Sequence, residues 1–314
     1  MPREILSLLF GAAAAAGAAD RRFAWWYHAD EKSTNVMAAL DLLRDAGGAQ
    51  VASSWLVYCG DTIDPETGRF SFGNASACAL EPPTPNTTLL APALHAMGVE
   101  VERCVGHVDD AATLRKFLRN GDEALSDLVA LVRAHGLAGY CFDIEQAGTQ
   151  ANDTVVWVRW LTRARAALNP LGARVTAYAY SAHHSATLRD MGAVSKSLDR
   201  LLDGDTYNYR GLGATNMSGW LVEYERLVGP SSNVSLSKAA PAMMVSTERG
   251  EWNCDPSGIQ QRMERVAADG VQEIAGFTWD SSSECTWSSR YNISLCHCTR
   301  AWFPAAKAFI GGGP

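Results

Sequence analysis

Residues 136–146 read GLAGYCFDIEQ, a run of small and apolar side chains that ends in two carboxylates, Asp143 and Glu145, one residue apart. Upstream, Leu125, Leu128, Val129 and Val132 recur at i, i+3, i+4 and i+7, with Asp122 and Glu123 ahead of them and Gly136 behind. That pattern predicts an amphipathic helix over 122–135 that stops at the glycine. A helix followed by a short apolar run with a charged end reads as a helix feeding a buried parallel strand, 137–145, whose last residues leave the core.

Working outward, the same alternation fills the chain. Further β-rich runs lie at 23–29 (FAWWYHA), 51–59 (VASSWLVYC), 99–107 (VEVERCVGH), 173–181 (ARVTAYAYS), 205–211 (DTYNYRG), 239–246 (AAPAMMVS) and 273–280 (EIAGFTWD). Helical patterns occupy 34–45, 154–168, 216–228 and 257–268, and a last one near 300–310 closes the series. Parallel strands need helical crossovers, so eight such units predict an α/β protein with the (β/α)8 TIM-barrel fold, as a single domain over 20–314. A doubly wound open sheet is the alternative. The Pro-, Gly-, Asn-, Ser- and Thr-rich segment from Gly60 to Pro92 reads as an excursion on one face, which a Cys59–Cys78 link would staple.

The 314 residues carry 27 basic and 34 acidic side chains, net −7, with no basic run, so the electrostatic footprint of a nucleic-acid binder is missing. Residues 1–19, MPREILSLLFGAAAAAGAA, place an arginine before an apolar stretch and an A-x-A site, the pattern of a cleaved signal peptide. No later stretch is apolar enough to span a membrane. N-x-S/T sequons at Asn74, Asn86, Asn152, Asn216, Asn233 and Asn292 and an even set of eight cysteines agree with export. The expected product is a secreted or lysosomal, N-glycosylated, disulfide-bonded monomer. Zinc is disfavoured, because no C-x-x-C pair exists and Cys296-His297-Cys298 supplies too few ligands.

In a barrel, the C-terminal strand ends line the site and alternate residues share a direction, so Asp143 and Glu145 face the same way as Cys141. Burying such carboxylates is costly without partners, and the environment that tolerates them raises a pKa toward that of a general acid at neutral pH. Spacing alone is weak evidence: Asp64-Pro65-Glu66 has it too, in what reads as a turn.

The stretch 122–145 resembles the helix and strand of glycoside hydrolase family 18, the chitinases and chitobiases, whose fourth strand carries D-G-x-D-x-D-x-E. Here Ala138-Gly139-Tyr140-Cys141-Phe142-Asp143-Ile144-Glu145 keeps the glycine, the last aspartate and the glutamate, and replaces the first two aspartates. Cys104-Val105-Gly106-His107 falls where the family has S-x-G-G, Thr206-Tyr207-Asn208 looks like its x-Y-D or x-Y-N, and Phe277-Thr278-Trp279 matches its eighth-strand tryptophan.

The resemblance implies a hydrolase of β-linked N-acetylglucosamine glycans that works without metal or cofactor. Glu145 would protonate the glycosidic oxygen. Asp143 would orient the substrate's own acetamido group, which acts as nucleophile in the substrate-assisted exception to the two-carboxylate scheme. Tyr207 would hydrogen-bond the acetamido carbonyl, Asn208 would contact the same sugar and Trp279 would form the floor beneath it. Tyr27 and Tyr180 are lesser candidates for the pocket. The resemblance also sets Cys104 beside Cys141, as a disulfide or as two packed thiols.

Two rivals stand beside this reading. A chitinase-like carbohydrate-binding protein would keep the barrel without turnover. A metal-dependent barrel hydrolase would use His28, Asp30, His107, Asp109, His183 and His184 with the two carboxylates. Among the tryptophans, Trp25, Trp26, Trp157, Trp160 and Trp220 read as packing residues, whereas Trp55, Trp252 and Trp287 follow strand ends and are expected at subsites.

Overall fold

The computed structural model describes residues 21–28, 36–73, 90–106, 111–144, 151–179, 191–206, 217–247, 251–279, 286–288, 293–295 and 298–312. Eight strands run parallel: β1 (Arg22–His28), β2 (Ser54–Ile63), β4 (Glu100–Val105), β5 (Gly139–Phe142), β6 (Arg174–Ala179), β7 (Arg200–Asp203), β8 (Ala239–Met244) and β9 (Glu273–Phe277). They pair in the order β1-β9-β8-β7-β6-β5-β4-β2, and a β1–β2 pairing closes the cylinder. The short β3 (Phe70–Ser71) returns antiparallel on β2, and β10 (Thr286–Ser288) pairs with β11 (Ile293–Leu295) as a separate ribbon.

Helices α1 (Val36–Ala46), α2 (Leu90–Ala96), α3 (Ala111–Arg119), α4 (Gly121–His135), α5 (Ala151–Leu168), α6 (Met191–Lys196), α7 (Met217–Val228), α8 (Pro256–Ala268) and α9 (Thr299–Ile310) fill the crossovers and the end. The fold is therefore the predicted (β/α)8 barrel, with two helices, α3 and α4, in one crossover. α4 stops where Gly136 takes the left-handed conformation (φ 59°) and its N–H returns to Val132 O, which delivers the chain into β5. All four residues of β5 are buried, as expected for a strand covered on both faces.

One strand differs from the sequence reading. The strand expected at 205–211 has its counterpart upstream: β7 lies at Arg200–Asp203 and turns into a 3-10 helix at Gly204–Thr206, and 207–211 lie outside the described residues. The buried residues are Leu201 and Leu202, and Thr206 Oγ1 ends the strand by donating to Asp203 O (2.6 Å). Tyrosine-rich composition drew the expectation downstream; apolar burial decided the position.

The base of the barrel is ionic. Arg22, Glu100, Glu102, Arg174, Arg200 and Glu273 come from the first residues of their strands, and inward-facing Glu102 accepts from Arg200 (2.5 Å), Arg174 (2.8 Å) and Thr176 Oγ1 (3.1 Å). Arg200 also donates to Glu273 (3.0 Å), and Arg174 to Glu100 and Glu273 (2.8 and 3.2 Å). Burial alone would raise the Glu102 carboxyl, but Arg200 and Arg174 overcome it and hold the group below the usual carboxylate range.

Outside the wall, a second buried pair fixes the excursion after β2. Arg103 grips Asp61 through Nε (2.7 Å) and Nη2 (2.5 Å), Tyr140 donates to the same carboxylate (2.9 Å), and Gly73 joins through its N–H (2.9 Å) and carbonyl (2.6 Å). Asp64-Pro65-Glu66 is the turn the sequence suggested: Asp64 Oδ1 accepts from the N–H groups of Glu66 and Thr67 (2.8 and 2.7 Å).

Candidate active site

All eight barrel strands point their C-terminal ends at one mouth, so residues far apart in sequence meet there. From β1, Trp26 crosses the interior to Tyr178 of β6, ring centroids 5.1 Å apart and nearly perpendicular. His28, at the end of β1, lies edge-on to Tyr58 of β2 (5.7 Å) and to Phe277 of β9 (6.1 Å). Trp26 Nε1 donates to His28 Nε2 (2.8 Å); an indole nitrogen can only donate, so this bond keeps the imidazole proton on Nδ1. His28, Tyr58 and Phe277 are half-buried while Trp26 and Tyr178 are buried beneath them. The mouth thus presents three partly accessible rings over an aromatic layer.

Asp143 is half-buried, one residue beyond β5, the strand opposite β9 and its Phe277 in the closed barrel order. Its N–H donates to Val105 O (3.0 Å), which extends the β4–β5 ladder and aims the chain upward. Ile144 next to it is buried, anchoring the opposite face. Below Asp143, Cys104 and Cys141 stand directly opposite each other in the β4–β5 register, fully buried. Both are free, buried thiols, the second of the two arrangements that the resemblance left open. Burial pushes both thiols up, Cys104 well above the ordinary thiol range, so the pair places no charge under Asp143. Elsewhere, Cys254 and Cys298 form a disulfide, and Cys59 is disulfide-bonded to a residue outside the described ones.

Two predicted pocket residues are elsewhere. Trp279 is 3% exposed and packs outside the wall against Trp25 (5.0 Å), Trp55 (5.0 Å) and Phe303 of α9 (5.4 Å), so no sugar can stack on it. The cause is local: β9 ends at Phe277, and Trp26 O then captures both Thr278 Oγ1 (3.1 Å) and Trp279 N (2.7 Å), which turns the chain outward. Tyr27 points outward too, onto Trp55 (4.7 Å), because Trp26 and His28 take the inward positions of β1. Trp55 is fully buried and is no subsite wall, and Trp252 stacks on buried Arg262 (4.4 Å). Glu145, Tyr207, Asn208 and Tyr180 lie outside the described residues, as do Asp30, His107, Asp109, His183 and His184 of the metal alternative and the indole of Trp287. Among the described residues no group of three or more His, Cys, Asp or Glu could hold a metal ion.

The mouth residues that sequence reading missed are Tyr58 and Phe277. Both were findable by register: Tyr58 pairs with inward-facing Cys104, and Phe277 with Met244 two residues beyond inward-facing Ala275.

No family model and no curated protein matches the sequence. Solved structures do resemble it in fold. A chitinase from Chromobacterium violaceum ATCC 12472 superposes with a TM-score of 0.64 at 12% identity, over 92% of this chain and 98% of that one. A chitinase from Bacteroides thetaiotaomicron gives 0.66 at 8%, over 92% and 96%. The chitinase-like agglutinin RobpsCRA from Robinia pseudoacacia gives 0.62 at 11%, over 90% and 99%.

Proposed function

We propose that this chain, with the barrel of the chitinases and chitinase-like proteins, is a glycoside hydrolase of the secretory pathway that cleaves β-linked N-acetylglucosamine in chitin, chitooligosaccharides or N-glycan cores. Glu145 donates the proton to the glycosidic oxygen and Asp143 orients the acetamido group of the substrate, whose carbonyl oxygen attacks the anomeric carbon. Tyr207 and Asn208 hold that acetamido group and its sugar. Phe277 takes the stacking role first expected of Trp279, because its ring faces the mouth.

The observation that carries this reading is Asp143, half-buried just past the end of a wholly buried strand, at the same end of the barrel as the partly accessible rings of His28, Tyr58 and Phe277. A carboxylate opposite an aromatic wall suits a ring that is polar on its rim and apolar on its face. Export is supported by the Cys254–Cys298 disulfide and by Asn233, which is exposed as a glycan acceptor must be. The test is Glu145→Gln assayed on a chromogenic N-acetylglucosaminide. A kcat loss of about 10²–10⁴-fold is expected for removal of a general acid, and no turnover by the wild-type protein would defeat the proposal.

One observation favours a second reading, a carbohydrate-binding protein without turnover. Position 141, where the resemblance calls for an aspartate, holds a buried neutral thiol. In that case the wild-type protein and Glu145→Gln would bind chitotetraose equally and neither would release product.

A further inference from the structure

Cys104 and Cys141 are the described cysteines left reduced in a chain whose Cys59, Cys254 and Cys298 are all disulfide-bonded. Their strands are direct neighbours in parallel register, and paired strands lie about 4.8 Å apart, inside the roughly 4.4–6.8 Å Cα separation that a disulfide spans. Both side chains leave the same face of the sheet, because they hold paired positions on the two strands. We infer that Cys104 and Cys141 form an oxidisable dithiol site beneath the barrel mouth, taking a small peroxide as oxidant and locking β4 to β5 immediately below Asp143.

Peroxide is the oxidant that fits, because the pair is fully buried and a bulky disulfide oxidant could not approach either sulfur. Cys141 is the less strongly raised thiol and so the better source of thiolate. Its sulfur attacks a peroxide oxygen, the O–O bond breaks, and the departing hydroxide leaves as water after taking a proton. The Cys104 thiolate then attacks the sulfenic sulfur, the S–O bond breaks, a second water leaves and the S–S bond forms. The two thiols together give up two electrons and two hydrogens, and the peroxide is reduced to two waters.

Closure joins the two sulfurs at about 2.05 Å, and the next ladder bond above them is Asp143 N–H to Val105 O. This inference does not depend on sugar hydrolysis, and its readouts are not activity. Hydrogen peroxide added to the native full-length protein should yield a Cys104–Cys141 linked peptide and a mass lower by two hydrogens. Amide exchange at Asp143 should slow by about tenfold, and dithiothreitol should restore both. Cys104→Ser and Cys141→Ser should each abolish the link and the change in exchange; where either variant misfolds, the dithiothreitol reversal on wild-type protein decides. No linked peptide, a link from either residue to a different cysteine, or unchanged or faster Asp143 exchange in the linked form would overturn the inference.

Discussion

The two ends of this barrel are built from different chemistry. At the base, six charged side chains from five strands interlock, and each oxygen of Glu102 accepts from arginine. At the mouth, the corresponding layer is aromatic, with a carboxylate beyond one strand and neutral thiols below it. The base pairs its carboxylates with arginines from neighbouring strands, so most of its charge is spent within the barrel. The mouth keeps rings and a carboxylate partly accessible, which is the condition for meeting a ligand. Stability and function are thus divided along the barrel axis, as the fold generally permits.

If the division is real, the largest stability loss should come from the base. Arg200→Ala leaves Glu102 and Glu273 to share Arg174, and breaking a buried pair from one side costs about 3–5 kcal/mol. The urea midpoint should fall accordingly, while kcat of the molecules still folded should hardly change. The same cluster sets the acid response. Glu102 has a folded pKa below its ordinary 4.5, so its contribution is fully present above that value and is lost as pH falls through the folded pKa. Urea midpoints followed downward from about pH 6 should drop below that point, and Glu102→Gln should flatten the drop.

The second test separates two neighbours on one strand end. Trp279→Ala empties a site enclosed by Trp25, Trp55 and Phe303 and should cost about 3 kcal/mol of stability with little change in sugar affinity. Phe277→Ala should do the reverse, weakening affinity for an N-acetylglucosamine oligomer by about 1 kcal/mol at small cost to folding. Titration by intrinsic fluorescence and thermal melts on both variants would check the pair. If Trp279→Ala is the one that loses sugar, the outward placement of that ring is wrong.

These neighbours also show how far the sequence could be read. Periodicity located the barrel because helix and strand patterns are local: α4 and β5 follow from the spacing of Leu125, Leu128, Val129 and Val132 and from one glycine. It put Asp143 at the end of that strand, where its N–H still pairs with Val105 O. It failed at Trp279 because two residues past the last pairing the direction is set by hydrogen bonds to Trp26 O, some 250 residues away in sequence. Tyr27 failed by one residue of register, the error that moves every side chain of a strand to the other face. The ionic base was invisible for a different reason: Glu102, Arg174 and Arg200 look like ordinary surface charges until three separate strands bring them together.

The smallest expected effect tests the mouth without removing any ring. A Cβ added at Gly106 would sit 2.3 Å from the Tyr58 ring, which lies flat across that glycine at the end of β4. The nearest atoms belong to the outer half of a side chain at a half-buried position, so Tyr58 can swing away and the fold should lose only about 1 kcal/mol. Tyr58 shares its edge contact with His28, so the swing disturbs the aromatic cluster at the mouth while the base stays intact. Gly106→Ala should therefore raise KM for a chitooligosaccharide while leaving the acid-dependent urea midpoints superimposable on those of the wild-type protein. If the variant instead changes the acid response and spares KM, the two ends are coupled, and the separation of stability from binding along the barrel does not hold.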